Sequence, residues 1–443
     1  MTLPMAVDRH ASLQWFRRNR ERSARIFGTV RREAYYDRPI PLRNPICFYE
    51  GHIPAFGVNT LIKRALGKPG VDGDLEVLFE RGIDPKDAAG VPDSTRGGWP
   101  ERDVIRRYAD GADRLLESAI EREELDSRDN AVLRRGLALY TVLEHEPMHQ
   151  ETLGYMWHRL PYERKTRPPG EPAPLRGGEP PRPESVRIPA GRATVGADRD
   201  AVRFGWDNEF PAQRVDVAAF EIDAYDTTNA EFLEFIEAGG YRREDLWSPE
   251  DWSWRVEQKV ESPIFWERRN GGWDWRGMWE RIPLPLAWPV YVSQAEASAY
   301  ARWKKRRLPT EAEFHRAAYG TPEGGERPFP WGEEPPDSTR GNFDFQRSDP
   351  VPVGSHPAGA SAWGVHDLVG NGWEWTSTEF GPFPGFEPMA SYPVYSTDFF
   401  DGKHYVLKGA SPATAKELVR ASFRNWFRGN YPYVYATFRC VSP

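Results

Sequence analysis

Cysteine is almost missing: Cys47 and Cys440 are the only two in 443 residues. A disulfide framework is excluded, and so low a count suits a reducing cytoplasm. No apolar run approaches the roughly 18 residues that a membrane-spanning helix needs. The stretch Met1–Ser23 lacks the apolar core of a secretory signal. There is no basic stripe either. The formal net charge is −7 and the Lys and Arg residues are scattered, which argues against nucleic acid as a partner. Histidine is sparse, nine in all, so where it falls carries information.

Three of those histidines lie in LEHEPMHQETLGYMWHRLP, Leu143–Pro161. His145 and His149 are four apart, which on a helix stacks them on one face about 6 Å apart along the axis. That spacing suits one metal ion, although by itself such a pair is common and inert. Pro147 lies between them; it removes the hydrogen bond to the Leu143 carbonyl and is expected to bend the helix. Glu151 points to another face and is expected to support the site from outside. His158 is expected at the surface or between domains. A third histidine, His52, sits on an earlier apolar helix, where it is the only one between His10 and His145. Three neutral imidazoles with open positions suit Zn(II) or Fe(II), and spacing does not choose between them.

The length exceeds one ordinary core, so two domains are expected. Residues 1–163 read as an all-α four-helix bundle. Its helices run over Asp8–Arg32, from Pro45 to about Gly67, from Pro100, and over Asp129–Leu160, with a loop-rich connection across Gly70–Gly98. Residues 164–185, RKTRPPGEPAPLRGGEPPRPES, are dense in Pro and Gly and read as an extended linker. Residues 186–443 read as an α+β, loop-rich domain. Only two helices are persuasive there: one from Asn229, and one from Ser293, where Ser293 and Glu296 form a capping box. The chain has 18 Trp, which suits either a loop-rich fold pinned by large rings or a pocket for a flat or cationic ligand.

Several motifs together carry a resemblance. FGWDNEFP (204–211), VSQAEASAYARW…RLPTEAEF (292–314), GVHDLVGNGWEWTST (364–378) and SFRNW (422–426) resemble the formylglycine-generating-enzyme fold, a C-type-lectin-like architecture. HEPMHQET with FYEGH upstream resembles a DinB-type helical bundle. Fused in this order, they resemble the sulfoxide synthases of ergothioneine biosynthesis and their relatives. The resemblance implies an enzyme, a non-haem iron oxidoreductase in which His52, His145 and His149 hold Fe(II). It implies hercynine, the trimethylated betaine of histidine, as one substrate and O2 as another. Asn425 and Trp426 match the family's Asn-Trp pair of the hercynine pocket; an aromatic face suits a quaternary ammonium, which has no N–H to donate. Formylglycine generation itself is excluded by the lack of a Cys pair near the C-terminus.

Three positions depart from the members that use γ-glutamylcysteine. An acid follows their Asn-Trp pair, where this chain has Phe427; two tyrosines after WEWT align with Phe380 and Phe383. A missing carboxylate leaves a donor's ammonium unpaired, which costs several kcal/mol in a pocket. A missing hydroxyl removes a proton donor. The branch fitting these departures is selenoneine synthase, which implies a seleno-sugar donor and C–Se bond formation at C2 of the hercynine imidazole. In that reading the alternating Tyr431, Tyr433 and Tyr435 offer faces and hydroxyls to a sugar; the plainer reading is an alternating strand packing its own domain. The alternatives are an ergothioneine sulfoxide synthase joining hercynine to γ-glutamylcysteine or cysteine, a Zn-dependent DinB-type transferase, and a non-catalytic carbohydrate-binding module.

Overall fold

The structure, a computed structural model, describes residues 7–80 and 98–443. It divides into two compact units. The first comprises Met1–Pro169, Asp200–Phe204 and Pro388–Tyr395; the second is the remainder.

The first unit is helical. Its helices are α1 (Arg9–Gly28), α2 (Ile46–Gly57), the short α3 (Gly73–Leu78), α4 (Arg102–Arg122) and α5 (Leu137–Arg159). Apolar spacing explains the packing. Along α4, Ile105, Tyr108, Ala112, Leu116, Ala119 and Ile120 are buried at steps of three and four, the period of one helical face. α1 packs on α4 and α5, and α2 packs on the same two. Asp8 caps α1 by accepting from the Ala11 amide. The helix stops at Gly28, short of the expected Arg32, because the Thr29 hydroxyl and amide both fold back onto Ile26 O. α2 continues beyond Gly57 as a π-helical segment, Val58–Ala65. The expected start of the last helix at Asp129 is corrected to Leu137. Arg135 (φ 59°) and Gly136 (φ 71°) take left-handed backbone that no right-handed helix can contain. The Gly70–Gly98 connection contains α3; residues 81–97 lie outside the described residues.

Within the second unit, four small sheets replace one large one. β1 (Ser185–Ile188), β4 (Phe220–Asp223) and β12 (Val441–Ser442) form one, with β4 central. β2 (Gly191–Val195) pairs with β3 (Gln213–Val217), and β5 (Trp266–Arg269), β6 (Gly272–Arg276) and β7 (Arg281–Pro283) form a meander. The fourth sheet orders β10 (Asn425–Arg428), β9 (His404–Ala410), β8 (Gly372–Glu379) and β11 (Ala436–Thr437). Helices α6 (Asn229–Glu237) and α8 (Gln294–Trp303) are the two expected from sequence. Two more were missed, α7 (Pro249–Glu257) and α9 (Glu311–Tyr319). Both carried start signals: Ser248 before Pro249, and a capping box between Thr310 and Glu313. The Pro- and Gly-rich stretch is pinned along its length. Trp288 Nε1 donates to Leu175 O, Arg347 to Ala173 O, and the Ser348 hydroxyl to Glu171.

Pro388–Tyr395 crosses from the second part of the sequence into the helical unit. Ser391 is its anchor. Its carbonyl accepts from Arg64 at 2.6 Å, and its hydroxyl lies 2.7 Å from that of Thr141 on α5.

Candidate metal centre

α2 presents His52 and α5 presents His145 and His149 to a common point. The ligand-capable nitrogens all lie within 4.8 Å of one another. His52 Nε2 is 3.1 Å from His149 Nε2, which is 2.9 Å from His145 Nε2. A cation with metal–nitrogen bonds of about 2.1 Å at right angles holds its nitrogens about 3 Å apart.

The orientation of His52 has a traceable cause. Its Nδ1 lies 2.7 Å from the carbonyl of Phe79, just past α3. A carbonyl only accepts, so Nδ1 carries the proton and Nε2 turns its lone pair inward. Phe79 comes this close because the residue before His52 is Gly51. A Cβ there would stand 2.6 Å from the Phe79 ring. Gly51→Ala is therefore expected to push Phe79 off His52 and weaken metal binding by about tenfold, read by equilibrium metal titration. His145 is held by Phe56, whose ring stacks on it at 3.5 Å and 13°. Tyr392, from the crossing segment, meets the Phe56 ring edge-on at 5.2 Å, and the Tyr395 hydroxyl lies 3.9 Å from Met148 Sδ.

Burial makes all three imidazoles neutral. It drives His52 down to about 4, against the Phe79 carbonyl, which favours protonation. It drives His145 well below the ordinary range, helped by His149 and His52. It does the same to His149, helped by His52 and Arg43. Neutral rings cannot satisfy one another here. With the His52 lone pair inward, His149 Nε2 either donates to one neighbour and leaves the other contact unmade, or turns its own lone pair toward that of His52. A central cation accepts all three lone pairs at once, so the residues fit a metal ion. His149 Nδ1 is buried without a hydrogen-bond partner. His158, expected at the surface or between domains, is fully buried near the end of α5, which corrects the surface alternative.

The aromatic residues singled out in the C-terminal part separate into two groups. Phe380 stacks on Trp426 at 4.3 Å and 5°, with Phe399 tilted 5.6 Å from the same indole. Phe383 lies under the Arg424 guanidinium at 4.2 Å, and Phe380 is 5.2 Å from it. Phe427 belongs elsewhere. It pairs with Tyr405 while Trp426 pairs with Val406, so the two side chains leave opposite faces of β10. Phe427 stacks instead on Tyr431, at 5.4 Å and 5°. The alternating strand expected through Tyr431, Tyr433 and Tyr435 is absent: β10 ends at Arg428, and Tyr435 is buried beside Tyr291. Asn425 Oδ1 accepts from the amide of Trp426.

Arg424 escaped the sequence reading, although it stands directly before Asn425. It is buried, bonds Glu311 through Nε at 3.0 Å, and ties down the carbonyls of Asn208 and Gly381. It thereby fixes the loop that carries Phe380 and Phe383.

Among the described residues no helix is long and apolar enough to cross a membrane.

Residues 173–443 match the sulfatase-modifying factor enzyme 1-like domain. The chain is 43% identical over 248 residues to the hercynine oxygenase of Mycolicibacterium smegmatis, covering 55% of this chain and 57% of that one. It is 40% identical over 304 residues to the hercynine oxygenase of Mycolicibacterium thermoresistibile, covering 64% of each. Ergothioneine biosynthesis protein 1 of Neurospora crassa is 29% identical over 496 residues, covering 92% of this chain and 55% of that protein. The chain thus spans less than two thirds of the length of each of these relatives. With well over half of its residues inside one domain match, the chain belongs to the sulfatase-modifying factor enzyme 1-like family.

Proposed function

We propose that this protein is a hercynine oxygenase: a non-haem Fe(II)- and O2-dependent oxidoreductase that joins a chalcogen atom to C2 of the hercynine imidazole. The observation that carries the reading is the convergence of three neutral Nε2 atoms whose proton placement leaves lone pairs unsatisfied. His52, His145 and His149 would hold the metal, and ferrous iron bound there would supply the redox chemistry with O2 that oxidative bond formation requires. Phe79 keeps His52 in the ligating tautomer, and the Phe56 ring keeps His145 from turning. Trp426, half-buried and backed by the stacked ring of Phe380, offers its indole to the trimethylammonium of hercynine, with Asn425 beside it. In this reading residues 1–163 form a DinB-like four-helix bundle, 164–185 a linker and 186–443 a lectin-like domain, in a cytoplasmic enzyme of small-molecule substrates.

The names of the relatives favour sulfur over selenium, so a thiol donor, γ-glutamylcysteine or cysteine, comes first and the enzyme is an ergothioneine sulfoxide synthase. The seleno-sugar reading stands second on one observation. Phe427 is packed flat against Tyr431, and neither Phe427, Phe380 nor Phe383 has a group to meet a donor's ammonium or to give up a proton.

The test is aerobic incubation of the iron-loaded protein with hercynine and each donor in turn, products followed by mass spectrometry. Hercynine consumed with a thiol, giving a sulfoxide adduct, is the expected result. Turnover with a 1-seleno-sugar and not with thiols would reverse the order of the two readings. Zinc retained through anaerobic purification, with no O2 uptake, would replace both by a DinB-type transferase.

A further inference from the structure

The hydrogen bond that Pro147 removes between the two histidines of α5 is replaced from another helix. Pro147 has no amide hydrogen, so it cannot donate to Leu143 O, the carbonyl four residues earlier. That carbonyl is satisfied nonetheless. Asn19 on α1 donates to it through Nδ2 at 2.9 Å, and Asn19 is 1% exposed. The main-chain carbonyl of Asn19 in turn accepts from Gln150 Nε2 at 2.8 Å. One residue of α1 therefore grips α5 on both sides of the proline, at Leu143 and at Gln150. His145 and His149 lie between those two points.

Neighbouring contacts extend the clamp. Gln150 Nε2 also donates to Ser23 Oγ at 2.9 Å, and the Ser23 hydroxyl donates to Glu146 Oε1 at 2.5 Å. Arg20, one residue after Asn19, bonds Glu146 as well. All of these partners are buried, or nearly so, between α1 and α5.

A proline in mid-helix frees one carbonyl and leaves the bend angle to whatever binds it. The carbonyl that Pro147 frees belongs to the turn joining the histidines, so whatever binds it bears on the distance and tilt between their rings. We propose that Asn19 is a positioning residue for the metal centre: its amide replaces the hydrogen bond that Pro147 deletes and so fixes the spacing of His145 and His149. Asn19 touches no histidine; it acts through the backbone of α5. The proposal rests on the reading of the triad as a metal centre.

A double-mutant cycle on the full-length, metal-free protein tests it, with anaerobic Co(II) titration followed by the visible absorption of the bound ion. Asn19→Ala is expected to weaken Co(II) binding by about tenfold and to shift the absorption bands, because the loss of an outer hydrogen bond loosens ligand geometry. Pro147→Ala supplies a backbone N–H to Leu143 O and makes Asn19 redundant. The double variant N19A/P147A is therefore expected to bind within about twofold of P147A alone. Should N19A not fold, a loss of more than about twofold from P147A to the double variant still overturns the proposal. Equal affinity of N19A and the unmodified protein overturns the proposal. So does a loss on removing Asn19 that is as large in the P147A background as with Pro147 in place, since Asn19 would then act by general packing. No Co(II) uptake by the unmodified protein would remove the metal centre itself, and with it the proposal.

Discussion

His145→Ala is expected to lower metal affinity by more than about a hundredfold and to leave no hercynine-dependent O2 uptake, since the loss of an outer partner alone costs about 10–100-fold and this change removes a ligand. Only the His52 and His149 nitrogens would be left, 3.1 Å apart. Two imidazoles hold a divalent ion in exchange with water and with the buffer, whereas three fix its position and leave defined open sites. The same substitution is not expected to unfold the chain. His145 is neutral, so no charge is stranded; what is lost is its ring stack on Phe56 at 3.5 Å. The void left by a buried ring costs a few kcal/mol at most in a unit held by four long helices. Metal content by elemental analysis, beside a thermal melt of the metal-free protein, separates the two effects. A variant that melts like the parent yet keeps a full equivalent of iron would show that His145 is not a ligand. The pH dependence follows from the same burial. The folded-state pKa of His52 is lowered to about 4, so its Nε2 takes up no second proton at neutral pH, and protons compete little with a metal there until the solution is acid.

How much of this was legible beforehand depends on the range of the interaction involved. His145 and His149 were readable because their relation is local: four residues on one helix. The apolar faces of α4 and α5 were readable for the same reason. His52 was identified only as the remaining histidine on an apolar helix; what fixes its ring is a carbonyl 27 residues away on a turn after α3, and no periodicity encodes that. The missing bond at Pro147 followed from the sequence, while the residue that replaces it, Asn19, is 124 positions from Leu143 and looked like one more polar residue on a polar-faced helix. Two helices of the second unit escaped although their caps were written in the sequence: α7 buries none of its residues, and α9 buries charged residues beside apolar ones, so neither shows a clean apolar face. Trp426 and Phe427 read as one cluster because they are adjacent. In a strand adjacency means opposite faces, and a strand assignment for 425–428 alone would have parted them.

The second large effect belongs to a residue with no place in the chemistry. Arg439 is fully buried and near the end of the chain. It bonds Glu374 through Nε at 2.7 Å and through Nη2 at 2.9 Å, and it bonds Asp226 through Nη2 at 2.9 Å. It also donates to the carbonyls of Asp223, Ala224 and His366. These bonds tie β8 to the turn after β4 and to the segment that leads into β12. Burial opposes the guanidinium charge, and Glu374 and Asp226 outweigh it, so the group stays ionised. Burial raises both carboxyls, and Asp226 stands well above the ordinary range. Arg439→Met fits the volume but strands two buried acids, and breaking a buried pair in this way costs about 3–5 kcal/mol. The expected result is a large fall in the denaturant midpoint of the second unit. The sign of its pH dependence is fixed by the raised carboxyls. A group whose folded pKa lies above its unfolded value takes up a proton on folding, so it favours the fold at acid pH and this contribution is lost as pH rises through the folded value. Without the cation both acids rise further, and R439M should lose more stability at neutral than at mildly acid pH. Removing the acids as well, in the triple variant R439M/D226N/E374Q, should recover part of the loss and flatten that slope, because amides carry no charge to strand. Chemical denaturation at two pH values measures both. A midpoint for R439M equal to that of the parent would mean that the bonds drawn through Arg439 are not what joins these three segments.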